Sequence, residues 1–254
     1  MYPTIFSWGA VRIHSYGLMV AVGVFLAISF LRRSARKIHV DPNQIVDLAL
    51  VTLLAGFVGA RVFYVTQFWQ YFRSVPIDIL KLWQGGIVLY GGLVGGFLGF
   101  WIFIKVHRLS FLSLLDLFIP AVALAQGFGR LGCFLNGCCF GTRTTLPWGV
   151  LFPFLEYRVH PTQLYESFFC FLLFGFLLIL WYKRSSSTPG IVSSTYFILY
   201  PIGRFFLEFL RGDNSKLFLN LTLAQWISFV ILLFALPLLV FFISHGRKVS
   251  RRAS

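Results

Sequence analysis

Three arginines lie within apolar stretches of this chain: Arg61, Arg130 and Arg204. A guanidinium stays charged at physiological pH and is costly in hydrocarbon, so an intramembrane arginine usually faces a bundle interior and binds a partner there. The planar fork of N–H donors on arginine matches the oxygens of a phosphate. These residues therefore predict a membrane protein that binds an anionic lipid headgroup.

Polar residues accompany two of these arginines. Residues 129–141 surround Arg130, and residues 200–211 surround Arg204. If the second run is helical, four of its polar residues share one stripe; they are Tyr200, Arg204, Glu208 and Arg211. A lone Arg–Glu pair on that stripe would also suit a purely structural role.

Two further polar runs open apolar stretches of their own. They are residues 13–18 and residues 159–166. All four runs are predicted near the same end of their helices, which is what a single site facing one side of a membrane requires.

The composition supports an integral membrane protein. Of the 254 residues, 58% are hydrophobic and 12% are charged, whereas soluble domains carry about 25% charged residues. The net charge of +14 could indicate nucleic-acid binding, but the basic residues are concentrated at the ends of apolar stretches. That distribution excludes nucleic acid as a partner and indicates membrane topology, with contact to membrane lipids.

A membrane span needs about 20 mostly apolar residues, and the chain contains seven such stretches. We predict an all-α fold with seven transmembrane helices in a single polytopic domain, residues 1–254. The predicted spans are Ser15–Leu31, Ile45–Phe68, Ile87–Lys105, Phe111–Phe134, Ser167–Tyr182, Ile191–Phe209 and Leu221–Ser244.

The basic clusters orient these spans. Twelve of the 22 Lys and Arg residues lie in four clusters: Arg32, Arg33, Arg36 and Lys37; Lys105 and Arg108; Lys183 and Arg184; Arg247, Lys248, Arg251 and Arg252. The positive-inside rule then predicts an N-terminus outside and a C-terminus in the cytoplasm. Residues 135–166 would form a small extracytoplasmic head.

Glycines are concentrated around the third predicted span. Small residues let helices approach closely in lipid, which explains Gly92, Gly96 and Gly99. The doublets Gly85–Gly86 and Gly91–Gly92 predict in addition a non-helical entry segment, which is tolerated at this depth only where it is buried in protein or lines a cavity.

These runs, with residues 56–64 and 85–92, resemble the prolipoprotein diacylglyceryl transferase family over nearly the whole chain. The resemblance implies a multi-pass enzyme of the bacterial inner membrane, with its active site facing the extracytoplasmic side. It would transfer the diacylglyceryl group of phosphatidylglycerol to the lipobox cysteine thiol of a preprolipoprotein signal peptide. A thioether would form and glycerol phosphate would leave, with no cofactor or metal. The resemblance does not predict an oligomeric state.

The resemblance also implies roles for individual residues. The catalytic residues would be Tyr90, Arg130, Arg204 and Glu208, with Arg130 holding the phosphatidylglycerol headgroup and Tyr200 and Glu208 ordering Arg204. The substrate-binding residues would be His14, Tyr16, Arg61, Gly91, Gly92, Arg130, Asn136, Gly141, Gln163, Glu166, Tyr200 and Arg204.

The chain departs from the family pattern at the expected general base. Many members have His-Gly-Gly where this chain has Tyr90 and two glycines. Tyrosine, with a reference pKa near 10, is a poor base at neutral pH. Tyr90 could position substrate, His14 or Glu208 could supply the base, or the thiol could lose its proton to water.

A second departure concerns cysteines. Cys133 and Cys138 stand where the family signature has Asn and Glu, and Cys139 follows them. The reacting thiol belongs to the substrate, so we expect small-residue packing first, a disulfide second and a metal site third, with His160 as its one nearby fourth ligand.

Two other functions compete with lipid transfer. An intramembrane protease would need a Ser–His dyad or paired intramembrane aspartates, and Asp116 has no evident partner at matching depth in the sequence. A transporter or channel would suit the intramembrane arginines, but its polar residues would be expected near the midplane, and the chain has no evident inverted repeat.

Overall fold

A computed structural model describes residues 4–8, 11–81, 85–184, 188–212, 214 and 216–252. Within these residues the chain is mainly helical. Its α-helices are α1 (Ser15–Ser34), α2 (Pro42–Gln67), α3 (Trp69–Ser74), α4 (Leu89–Val106), α5 (Phe111–Asn136), α6 (Thr162–Arg184), α7 (Ile191–Glu208) and α8 (Leu223–Arg252). The expectation of an all-α protein is confirmed.

Six helices in the described part of the chain are long and apolar enough to cross a membrane: α1 with the 3-10 turn that follows it, α2, α4, α5, α6 and α8. Helix α7 has 18 residues but is not among them, because Ser193, Ser194, Arg204 and Glu208 reduce its hydropathy. The chain is thus a multi-pass membrane protein with six candidate spans.

Local sequence signals explain where α2 begins and α1 ends. The backbone N–H of Asn43 donates to the Asp41 side chain at 3.0 Å, and Pro42 occupies the first turn of α2, where its missing N–H costs nothing. After α1 the chain forms a 3-10 turn that ends at His39 in the left-handed conformation, with φ 57°.

The described chain divides into two units, one of Met1–Phe30 with Leu115–Ser254 and the other of Leu31–Leu114. In the second unit, α2 and α4 pack through glycines. A Cβ atom on Gly95 would lie 2.9 Å from the Cα atom of Gly59, so the two backbones touch as they do in small-residue membrane helix pairs.

The prediction of a non-helical entry segment is right for one glycine doublet and wrong for the other. Gly85 and Gly86 adopt positive φ angles of 81° and 78° ahead of α4. Gly91 and Gly92 instead lie in the first turn of α4. A Cβ on Gly91 would meet the Gly59 carbonyl oxygen at 2.5 Å, so helix packing accounts for that glycine.

In the first unit, α7 begins on a buried carboxylate. Asp116 of α5 accepts hydrogen bonds from the backbone N–H groups of Gly190 and Ser193, at 2.6 and 2.8 Å, and from the Ser193 hydroxyl at 2.7 Å. The residue is 1% exposed. It acts as a helix cap supplied by another helix, because the first N–H groups of a helix have no partner within it.

Short antiparallel hairpins interrupt the helical pattern of this unit. Strands β1 (Thr4–Trp8) and β2 (Val11–His14) pair directly before α1. Strands β3 (Val150–Leu151) and β4 (Arg158–Val159) pair between α5 and α6, within the segment expected to form the head. This segment leads into the first turn of α6, which carries several of the predicted site residues.

Candidate active site

Arg130, Glu166 and Tyr200 come together from three helices. The Nη2 atom of Arg130 lies 3.1 Å from Oε1 of Glu166, and the Tyr200 hydroxyl donates to the same oxygen at 3.0 Å. The Glu166 side chain is 4% exposed, whereas that of Arg130 is 21% exposed. The carboxylate therefore holds the guanidinium from its buried side and leaves part of it accessible.

Neighbouring contacts fix the helices that carry this cluster. The Ser167 hydroxyl donates to the Gly127 carbonyl at 2.9 Å, which joins α6 to α5 beside the ion pair. The Tyr196 hydroxyl donates to Gln126 Oε1 at 2.9 Å, and its ring stacks on Tyr200 with centroids 5.4 Å apart. The site is thus built on rigid helices, which hold catalytic groups more precisely than loops do.

Arg204 and Glu208 form a second, more deeply buried pair. The Nη1 atom of Arg204 lies 2.7 Å from Oε2 of Glu208, and their side chains are 12% and 0% exposed. The other carboxylate oxygen accepts hydrogen bonds from the Thr222 hydroxyl at 2.8 Å and from Asn214. The ion pair and these hydrogen bonds together offset the desolvation cost of burying the charges.

The structure confirms part of the predicted stripe and corrects the rest. Arg204 and Glu208 pair at i and i+4, but α7 ends at Glu208. Arg211 lies beyond the helix and forms an isolated bridge with Gly141. The described hydrogen bond of Tyr200 goes to Glu166, which is the partner of Arg130.

The segment that follows α5 is anchored by the start of α6. The Gln163 amide donates to the Cys138 carbonyl at 2.6 Å, and the Thr162 hydroxyl donates to the Cys139 carbonyl at 2.9 Å. Gly141 donates its N–H to the His160 carbonyl at 2.8 Å. A Cβ on Gly141 would meet His160 at 2.8 Å, so only glycine allows this approach.

Three cysteines meet at this point. The sulfur atoms of Cys133, Cys138 and Cys139 all lie within 4.8 Å of one another, and all three are free thiols. The hydrogen bond from Cys133 and the nearby charges of Arg211 and Arg130 lower the pKa of Cys139. His160 is not part of the ligand group found among the described residues; its Nδ1 atom lies 3.4 Å from the Tyr165 hydroxyl.

Arg61, in the other unit, uses its donors on backbone carbonyls. Its Nε, Nη1 and Nη2 atoms all donate to backbone carbonyls that lie between α3 and α4 in the chain, and the residue is 7% exposed. The acceptors are the carbonyl oxygens of Asp78, Ile79, Lys81, Gly85 and Gly86, at 2.6 to 3.4 Å. Hydrogen bonds from Lys81 and from Tyr71 of α3 lower the pKa of the Asp78 carboxyl. Among the described residues, the partners of this arginine, which was predicted to bind substrate, are thus these backbone carbonyls.

The remaining predicted residues are spread over both units. Tyr90 is 48% exposed in the first turn of α4, next to Gly91 and Gly92. Tyr16 is 45% exposed on α1, and a Cβ on Gly132 would lie 3.1 Å from its ring. His14 and Asn136 are exposed at the end of β2 and at the end of α5.

Sequence patterns did not single out several of the residues that complete the site. Gln126 accepts a hydrogen bond from Tyr196, whose ring stacks on Tyr200. Thr222 and Asn214 donate to Glu208. Gln163 and Glu166 were named as site residues, but the partner of each lies elsewhere in the sequence. A signal existed only for Tyr196, which precedes Tyr200 by one helical turn.

Buried arginine–glutamate pairs on apolar helices are typical of membrane proteins that bind polar or charged groups within the bilayer. The family model for prolipoprotein diacylglyceryl transferase matches residues 3–241. A phosphatidylglycerol–prolipoprotein diacylglyceryl transferase from Clostridium tetani is 39% identical over 98% of this chain and 100% of its own length. The enzyme of that name from Synechococcus elongatus is 37% identical over 98% of this chain and 89% of its own. The chain belongs to the prolipoprotein diacylglyceryl transferase family.

Proposed function

We propose that this chain transfers the diacylglyceryl group of phosphatidylglycerol to the cysteine thiol in the lipobox of a prolipoprotein signal peptide. The names of the relatives include both substrates, phosphatidylglycerol and prolipoprotein. The observation that carries the proposal is the Arg130–Glu166–Tyr200 cluster, a partly exposed guanidinium held on three apolar helices. Such a group suits the phosphate of an anionic lipid.

Arg130 is the residue that binds the headgroup phosphate. Among its described contacts, the ion pair with Glu166 uses only Nη2, so the rest of the fork is available for phosphate oxygens. The reaction forms a C–S bond to the glyceryl carbon and breaks its C–O bond to phosphate. Glycerol phosphate then leaves with additional negative charge, and a preorganised cation stabilises that charge in the transition state.

Arg204 and Glu208 form the second ion pair of the site. Both carboxylate oxygens of Glu208 are engaged by Arg204, Thr222 and Asn214, and the residue is 3% exposed. Its role is to orient Arg204.

Gln163 and Tyr90 are substrate contacts. Among the described residues, the buried Oε1 atom of Gln163 has no hydrogen-bond partner, and such atoms are generally satisfied by a ligand or water. The exposed Tyr90 phenol lies in the first turn of α4 and would position headgroup or peptide. Arg61 acts indirectly, because it binds the carbonyl oxygens of Asp78 and Gly85, which precede α4 in the chain.

We place the protein in the bacterial inner membrane with α7 as a seventh span in addition to the six candidates. The clusters of Lys and Arg at the ends of α1, α4, α6 and α8 support an N-terminus outside and a C-terminus in the cytoplasm. Arg130, Glu166 and Arg204 then lie towards the extracytoplasmic side, and residues 135–166 form a small head there.

The experiment that tests this function uses purified protein in phosphatidylglycerol liposomes with a lipobox peptide. Mass spectrometry should show the peptide gaining one diacylglyceryl group, whereas a peptide with serine in place of the cysteine should remain unchanged. Phosphate flux into the same liposomes tests the transporter alternative. Phosphate uptake without any change in peptide mass would refute the proposal.

A further inference from the structure

The thiols of Cys133, Cys138 and Cys139 form a compact group that has no role in the function as proposed so far. Their sulfur atoms lie within 4.8 Å of one another, and all three residues are half-buried. The backbone turns back to bring them together, with Gly137 at φ 77° and Cys139 at φ 63°. The N–H of Cys138 then donates to the Cys133 carbonyl at 3.1 Å.

The group is held by contacts outside itself. Gln163 and Thr162 bind the carbonyl oxygens of Cys138 and Cys139 from the first turn of α6, at 2.6 and 2.9 Å. Cys133 is fixed by α5. The three thiols therefore converge because of a rigid scaffold, as the ligands of a metal site do.

We propose that Cys133, Cys138 and Cys139 form a three-thiolate Zn²⁺ site whose fourth position is open to an exogenous thiol. A zinc–sulfur bond of about 2.3 Å in tetrahedral geometry places the sulfurs about 3.8 Å apart. The observed separations need to shorten by about 1 Å at most to reach that value.

The surroundings favour such an ion. Three thiolates and Zn²⁺ carry a net negative charge, and the charges of Arg130 and Arg211 act on Cys139. Cations near a thiolate cluster stabilise it. A site of three protein ligands with an open fourth position is the arrangement of catalytic zinc, whereas structural zinc is normally bound by four.

The identity of the fourth zinc ligand rests on the proposed function. The cysteine thiol of the signal peptide would bind Zn²⁺ as a thiolate and release its proton to solvent. Its sulfur would then form the C–S bond as the C–O bond to phosphate breaks, and that electron pair leaves with glycerol phosphate. Zinc stays divalent throughout. Arg130 lies one helical turn before Cys133, so headgroup and thiol would meet at neighbouring points of α5.

Metal binding is tested on the full-length protein, purified in detergent with a phosphine reductant. We expect about one equivalent of Zn²⁺ per chain, and visible thiolate-to-metal bands when Co²⁺ replaces it. The single variants Cys133→Ser, Cys138→Ser and Cys139→Ser should lose most of the metal. Cys170→Ala, a buried cysteine of α6 outside the group, should retain it.

Thiol binding is tested by adding lipobox peptide to the Co²⁺ protein. The charge-transfer bands should intensify with the cysteine peptide and stay unchanged with the serine peptide. Absence of bound metal in the reduced wild-type protein, or a disulfide between two of the three thiols with no metal, would overturn the site. A Co²⁺ spectrum that does not change when the cysteine peptide is added would contradict the open fourth position at the metal. Metal and peptide binding without any transfer to the peptide would refute the proposed function and leave the site standing.

Discussion

The Nη2 atom of Arg130 lies 3.1 Å from the Oε1 atom of Glu166, across two helices and 36 positions of sequence. The carboxylate is nearly inaccessible while the guanidinium is about one-fifth exposed. This asymmetry lets Glu166 hold the charge of Arg130 in place without screening its outer donors. The ion pair is therefore suited to presenting a cation to a ligand.

Replacement of Arg130 should abolish transfer. We expect Arg130→Ala to reduce the rate by roughly 100-fold or more, because a preorganised donor to the leaving phosphate is lost. Arg130→Lys should recover little of it, since an ammonium cannot make two parallel contacts. Transfer rates in membranes with equal protein content test this, with Arg73→Ala as the control, an exposed arginine of α3. Full activity in Arg130→Ala would contradict the assignment.

Tyr200 and Glu166 should differ in the size of their effects. Tyr200→Phe removes one hydrogen bond to Glu166 and should cost about 1 kcal/mol, or roughly fivefold in rate. Glu166→Gln removes the charge that holds Arg130 and should cost more. Separate kcat and KM values for phosphatidylglycerol, measured for both variants, test whether Glu166→Gln has the larger effect. A larger loss in Tyr200→Phe than in Glu166→Gln would show that the tyrosine acts on substrate directly.

Asp116 should contribute stability rather than activity. Asp116→Ala removes the acceptor of three hydrogen bonds at the start of α7 and should destabilise the fold by about 2 kcal/mol. Thermal unfolding in detergent measures the effect, with Asp47→Ala as control, an exposed aspartate of α2. Transfer per folded molecule should stay near wild type at low temperature. An unchanged Tm would mean that α7 does not depend on this cap.

Variants of Tyr90 test the position at which this chain has tyrosine and many family members have histidine. Its side chain is 48% exposed, so Tyr90→Phe should leave stability unchanged and report only on substrate. We expect the activation free energy of transfer to rise by about 1 to 3 kcal/mol, which is the cost of leaving a polar partner unpaired. Tyr90→His should retain activity because it restores the residue of many relatives. A silent Tyr90→Phe with a damaging Tyr90→Ala would make Tyr90 a packing residue.

The helices could be predicted because long apolar runs have few alternatives in a membrane. The predicted start of α6 at Ser167 was late, since its first turn carries Thr162, Gln163 and Glu166, polar residues that an apolar window excludes. The predicted end of α7 at Phe209 was nearly right, but extending its stripe to Arg211 was wrong because the helix stops at Glu208.

The partners within the site could not be predicted in the same way. The sequence identified Arg130 and Glu166 as site residues, but nothing local relates a residue of α5 to one of α6. The contact of Asp116 with Gly190 spans 74 positions and depends on how the helices pack. The convergence of three thiols likewise depends on left-handed backbone at Gly137 and Cys139, which spacing alone does not indicate.

The measurement that tests the central claim most directly is the stoichiometry of the reaction at the Arg130 site. Phosphatidylglycerol labelled in its glycerol headgroup is mixed with purified protein and a lipobox peptide, and released glycerol phosphate is compared with thioether formed. We predict equal amounts of the two products in the wild-type protein and neither product in Arg130→Ala. Glycerol phosphate released without thioether, or both products formed at the wild-type rate in Arg130→Ala, would contradict the account.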